Sequence, residues 1–170
     1  MTVTIRLAEP ADAQGLPDVE REAGRSFLAI PDLAWIASDT VTSADDHLSR
    51  IAKGTVWVAE DDAAGVVGFL NAEITGPELH IWETAVRGEF QQRGIGARLL
   101  AAAFDHARAA GLAALSLTTF RDVAWNAPFY ARHGFAIVKG DGVDERLASL
   151  LRQEAAWGMP RRCAMRRPVS

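Results

Sequence analysis

Leu79-His-Ile-Trp-Glu-Thr-Ala-Val-Arg-Gly-Glu-Phe-Gln-Gln-Arg-Gly-Ile-Gly-Ala-Arg-Leu-Leu100 decides the fold. Apolar and β-prone residues run to Val86, and charged, flexible residues follow to Arg93. From Gly94-Ile95-Gly96 a helical pattern begins, with Ile95, Leu99, Leu100, Ala103, Phe104 and Ala107 on one face. The stretch therefore reads as strand, glycine-bearing turn and helix. A helix start is an anion site, because its first N–H groups lack intrahelical acceptors and the helix dipole is positive there. Glycine lets the backbone approach a phosphate without a Cβ in the way.

Outward from this stretch, the chain alternates strands and helices. Val3, Ile5 and Leu7 alternate with polar residues in a first strand. Pro10 suits the first turn of a helix whose apolar side is Leu16, Val19, Ala23 and Phe27, with Pro17 near its start or at a kink. Ala29 to Thr42 reads as a long loop or a short irregular helix, and Ser43 as the N-cap of a helix over 44–52. Thr55–Glu60 and Val66–Ile74 form a hairpin across Asp61–Gly65. After the central strand and its crossover helix, Leu112–Thr118 is a parallel strand of a right-handed βαβ unit. A helix over 123–133, a strand at 135–138, a helix over 141–157 and a strand at 162–166 complete the order. The expected fold class is α/β, a mixed sheet with helices on both faces.

The chain has 170 residues, is 49% hydrophobic and carries a formal net charge of -4, which suits one domain spanning 1–170. An acidic balance disfavours nucleic acid as a partner. The arginines at 161, 162, 166 and 167 read as the solvated face of an edge strand. No apolar run is long enough for a membrane span and no secretory leader is legible, so the cytoplasm is expected. One cysteine, Cys163, excludes an internal disulfide and a cysteine metal cluster, and no metal is expected.

The run Gln91-Gln92-Arg93-Gly94-Ile95-Gly96 resembles the pyrophosphate-binding motif of the GNAT superfamily of acetyl-CoA-dependent N-acetyltransferases. The element order also matches, and so does Asn126-Ala-Pro-Phe129-Tyr130-Ala-Arg-His-Gly134-Phe135, where a tyrosine ends a short helix before Gly-Phe. The resemblance implies acetyl-CoA as co-substrate and a central pair of strands that splay apart. Gln91, Gln92, Arg93, Gly94, Ile95, Gly96, Ala97 and Arg98 would hold the diphosphate, mainly through the amides of 92–98. Ala85 and Val86 would pair with the pantetheine arm as an added strand would. Asn126 and Phe129 would line the far side of that arm, and Tyr130 would aim its hydroxyl at the thioester sulfur. Many members carry an asparagine seven residues before the tyrosine. Here that position is Val123, and Asn126 lies four before.

Acetyl transfer to an amine needs a deprotonated amine, a donor to the oxyanion and an acid for the departing thiolate. Tyr130 is the candidate acid and the Val86 amide the candidate oxyanion donor. His80 and Glu83 are the candidate bases. A histidine has its ordinary pKa near the working pH, which suits a base, and in a family member with a strand similar to that of His80 histidines relay protons. Glu83 would lie on an apolar face of a regular strand unless a β-bulge turned it toward the acceptor. Phe27, Trp35, Trp82 and Glu83 are the candidate acceptor-binding residues. With Asp32, Asp39 and Glu73 they suit a cationic acceptor with an apolar body, a small-molecule or peptide amine. Many members are dimers, so a homodimer is possible. The alternative class is a non-catalytic acyl-CoA-binding sensor or accessory domain.

Overall fold

Asp61 closes the first hairpin. Its Oδ2 accepts the amides of Ala63 and Ala64, each at 2.9 Å, and so builds the turn that the backbone alone would leave open. In the computed structural model, which describes residues 2–170, seven strands form a mixed sheet in the order β1-β2-β3-β4-β5-β7-β6. The chain divides into two compact units. One comprises the chain up to Ile74 together with Ile81–His106, and the other comprises Thr75–His80 and Ala107–Ser170.

The first unit contains β1 (Val3–Leu7), α1 (Leu16–Ala23), α2 (Ala44–Ala52), β2 (Val56–Asp61) and β3 (Gly65–Thr75). It also holds the later part of β4 (Glu78–Val86) and most of α3 (Ile95–Ala109). The helix expected from Pro10 is interrupted. Pro10–Gln14 is a 3-10 turn, and α1 starts at Leu16 so that Pro17 falls in its first turn, where a missing N–H does no harm. Phe27 and Trp35 lie on two further 3-10 segments, Gly24–Ala29 and Pro31–Ser38. Ser43 caps α2 as expected, its hydroxyl accepting from the Asp46 amide at 3.1 Å. Leu16, Val19, Ile51, Val56, Val58, Phe69 and Ala85 make the core of this unit.

Strand β4 is irregular near its end. Arg50 of α2 lies over the Trp82 ring, and Ala85 packs into the core with Leu16, Val19 and Ile51. Residues three apart on a regular strand face opposite sides. Both meet residues of α2 here, so the alternation is broken between Trp82 and Ala85, as a β-bulge breaks it.

The second unit contains the first part of β4, β5 (Ala114–Phe120), α4 (Ala127–Arg132), β6 (Ala136–Ile137), α5 (Glu145–Ala156) and β7 (Arg162–Pro168). Glu78, Leu79 and His80 pair in parallel with Ala114, Leu115 and Ser116, the parallel step the sequence implied. Strand β5 starts at Ala114 rather than Leu112. The Leu112 amide still bonds Ala107 O at 2.9 Å and Gly111 N bonds Arg108 O at 3.2 Å, so Leu112 belongs to the cap of α3. The same cap ends α4, with Phe135 N on Tyr130 O at 3.1 Å and Gly134 N on Ala131 O at 3.3 Å.

The C-terminal arginines correct an expectation. Strand β7 is not an edge strand, because it pairs with β5 on one side and β6 on the other. Arg162 bonds Glu154 at 3.1 Å and lies over the Phe120 ring at 4.6 Å. Arg166 bonds the buried Glu78. Arg161 Nε lies 3.6 Å from Asp122 Oδ2, so three of the four are ion-pair partners rather than a solvated face. No helix among the described residues is long and apolar enough to cross a membrane.

Candidate active site

Two left-handed residues shape the loop before α3. Gln92 has φ 61° and Gly94 φ 78°. A non-glycine residue in that region is strained by about 1–2 kcal/mol, and such strain gathers at binding loops. Alternation of left- and right-handed residues turns successive amides to one side, the geometry of an anion nest. The first intrahelical bond of α3 runs from Arg98 N to Gly94 O at 3.1 Å. The amides of Ile95, Gly96 and Ala97 therefore have no acceptor within the helix. This narrows the cradle. The Arg98 amide is occupied by Gly94, and the Gln91 amide bonds Gly88 O at 3.2 Å. Gln91 serves otherwise, donating its side-chain amide to Val86 O at 2.8 Å and tying the loop to the end of β4. Arg93 lies over the buried ring of Phe90.

On β4, Trp82 is 37% exposed, Glu83 and Thr84 are half-buried and Ala85 is buried. The Thr84 hydroxyl oxygen is buried without a hydrogen-bond partner. Beside these residues, a Cβ on Gly68 would lie 3.0 Å from the Ala85 carbonyl oxygen and 3.3 Å from Val86 Cγ2, so a side chain there would press β4 away by a few tenths of an ångström. Trp35 is partly exposed and Phe27 half-buried, and the segments that carry them pack on each other.

In the second unit, Tyr130 on α4 is only 8% exposed. Its ring meets Phe129 and Phe135 edge to face, at centroid distances of 5.3 and 5.6 Å. Asn126 precedes α4 and accepts the Tyr130 amide on its backbone carbonyl at 3.0 Å. Its side-chain Oδ1 is buried with no hydrogen-bond partner, the condition of an acceptor that awaits a ligand donor. The acceptor-free amides of α3 fit a diphosphate, such as coenzyme A has.

His80 is 1% exposed. Its Nδ1 lies 2.9 Å from Ser116 Oγ and 3.0 Å from Arg146 Nη1. A guanidinium has donors only, so Nδ1 accepts and the ring carries its proton on Nε2. Arg146 also donates to Ser116 Oγ at 3.0 Å and to Glu78 Oε1 at 2.9 Å. Glu78 thus holds two arginines, 146 and 166, and through Arg146 it fixes the imidazole.

Sequence reasoning missed a second buried polar chain. His47 and Asn71 are both 0% exposed. Arg50 Nη1 donates to Asn71 Oδ1 at 3.3 Å, which leaves Asn71 Nδ2 to donate to His47 Nδ1 at 2.9 Å. The available signal was an amide inside an apolar strand and a histidine on the core face of α2. Burial, aided by the charge of Arg50, pushes the His47 imidazole down to about 4. The unfolded chain therefore takes up this proton first as pH falls. Stability from this group is intact above about pH 6.5 and is lost between 6.5 and 4, by roughly 3 kcal/mol in all. Urea denaturation from pH 7 to 4 should show this slope, and His47→Gln should flatten it.

The model of the acetyltransferase (GNAT) family matches residues 24–135. The uncharacterized N-acetyltransferase YjhQ of Escherichia coli is 30% identical over 143 residues, which is 81% of this chain and 72% of that protein. Among solved structures, the PaiA N-acetyltransferase of Thermoplasma acidophilum, in complex with coenzyme A, superposes with a TM-score of 0.72. The match covers 99% of both chains at 19% identity. Ard1 of Thermoplasma volcanium gives a TM-score of 0.70 at 22% identity, over 100% of this chain and 99% of its own. The chain belongs to the GNAT family and is an acetyl-CoA-dependent acetyltransferase.

Proposed function

We propose that the chain, acting as one catalytic domain in the cytoplasm, moves the acetyl group of acetyl-CoA to a primary amine of a small molecule or peptide. The observation that carries the reading is the strained loop before α3, with left-handed Gln92 and Gly94 leading to the amides of 95–97. A diphosphate is the anion such a nest suits. That relatives bear the name N-acetyltransferase supports nitrogen as the acceptor.

The thioester supplies an activated acyl carbon. Glu83 holds the ammonium of the incoming amine and draws its proton away, directly or through water. The Val86 amide donates to the oxyanion that develops. Tyr130 protonates the leaving sulfur. His80 presents Nε2–H as a donor while Arg146 occupies Nδ1, so it acts in holding or relaying a proton rather than as the first acceptor of one. Ala85 and Val86 pair with the pantetheine amides, and Asn126 Oδ1 takes a donor from the same arm. Phe129 packs along it.

Thiol release with a panel of amines tests the activity itself, and tight acetyl-CoA binding without turnover on any amine would overturn it. A pH–rate series tests the roles. Glu83→Gln should lose about 10²-fold in kcat/KM and the acidic limb of the profile. His80→Ala should lose less and keep that limb. If both variants keep near-normal rates, the proton goes to water without help from either.

A further inference from the structure

The second buried polar chain ends on a cation in the first unit. Arg50 is half-buried, and its guanidinium lies 5.2 Å from the centroid of the Trp82 ring, which is itself partly exposed. Both members of this pair are held from behind. Asn71 bonds the guanidinium, and Asn71 is oriented by His47. The Trp82 side chain bonds Glu73, which Lys53 holds at 2.7 Å.

A guanidinium has five N–H donors. Among the described residues, Arg50 has one hydrogen-bond partner, Asn71, and no carboxylate within ion-pair distance. Glu20 and Glu73 feel its charge from further away. Burying a histidine and an asparagine in an apolar core is costly, the more so because His47 Nε2 is buried with no hydrogen-bond partner, and the bonds they do make aim one arginine. A surface cation with no task needs no such support.

Trp82 immediately precedes Glu83, the residue proposed to hold the acceptor's ammonium. We propose that Arg50, braced on Trp82, binds a carboxylate of the acceptor, so that the acceptor is an amino acid or another amine that carries a carboxylate. This rests on the transferase reading and narrows its substrate class. The planar fork of arginine matches a carboxylate in two parallel bonds, and stacking on the indole fixes the plane of the fork. Glu83 would meet one end of such a zwitterion and Arg50 the other. The cationic acceptor suggested by composition is thereby revised, because Glu73 is already engaged by Lys53 and Trp82.

The test uses the full chain and a panel of free α-amino acids, each paired with its α-carboxamide. Calorimetry with coenzyme A present measures acceptor binding, and thiol release measures turnover. Free acids should exceed their carboxamides in kcat/KM by roughly 10- to 100-fold, the value of hydrogen bonds to a charged partner. Arg50→Ala should remove that preference through KM while acetyl-CoA binding stays unchanged, and Arg50→Lys should restore part of it. Carboxamides used as well as acids, or a preference that survives Arg50→Ala, would overturn the assignment and leave the transferase reading intact. Amino acids that bind through Arg50 without turnover would leave the carboxylate site standing and remove the transferase reading. Neither binding nor turnover of any free acid would sink the inference.

Discussion

Tyr130→Phe is expected to lower kcat by about 10²- to 10⁴-fold, the usual weight of a positioned general acid. The substitution removes one oxygen and keeps the ring. Its edge-to-face packing on Phe129 and Phe135 is therefore retained, and so is the bond from its amide to Asn126. Denaturation midpoints should barely move, and acetyl-CoA affinity should stay near that of the native chain. A steady-state assay beside a binding titration separates these outcomes. An unchanged kcat would remove Tyr130 from the chemistry and leave it a buried core aromatic. A loss confined to KM would make it a binding residue instead.

Glu78→Gln is expected to cost about 3 kcal/mol of stability, near the lower end for breaking a buried ion pair because both partners keep some access to water. Glu78 is 8% exposed and bonds Arg146 at 2.9 Å and Arg166 through its other oxygen. Neutralising it leaves two guanidiniums facing each other across an amide that can accept from only one side. Arg166 retains Asp144 at 3.2 Å and Gly142 O at 2.9 Å, so the larger disturbance falls on Arg146 and on the imidazole it holds. Urea unfolding at neutral pH would register the loss. A change below about 1 kcal/mol would mean that water reaches the cluster freely and that His80 is held by Ser116 alone.

Much of this fold was legible in the order of residues. Local signals are strongest where one residue does one thing. Ser43 capped the helix it was expected to cap, and Gly54, Gly111 and Gly134 ended the helices they were expected to end, all with positive φ. The first boundary stayed open because two prolines, Pro10 and Pro17, each suited a helix start, and the chain uses both, Pro10 in the 3-10 turn and Pro17 in the first turn of α1. The C-terminal arginines were misread because the partners of Arg161, Arg162 and Arg166, namely Asp122, Glu154 and Glu78, are distant in sequence or lie on another element. Charge on a strand says little about solvent when its counter-charge arrives from elsewhere.

The turn into α3 was legible for a similar reason: its shape is a backbone property, and Gly94 announces it. The end of β4 was not. Its shape depends on a break in alternation between Trp82 and Ala85, both of which meet α2 residues. The roles of Asn71 and His47 depend on which atom of an amide faces which neighbour, and only assembled coordinates fix that.

Gly68 extends the reach of the site beyond the residues that compose it. It sits on β3, has no side chain to offer a reacting group, and lets the Ala85 carbonyl approach to a distance at which a single methyl would press on it. The position of the β4 backbone is therefore inherited from an atom that is missing on the neighbouring strand. A variant at 68 could present as a catalytic defect with every catalytic residue in place, and a catalogue of active-site side chains would not reveal why.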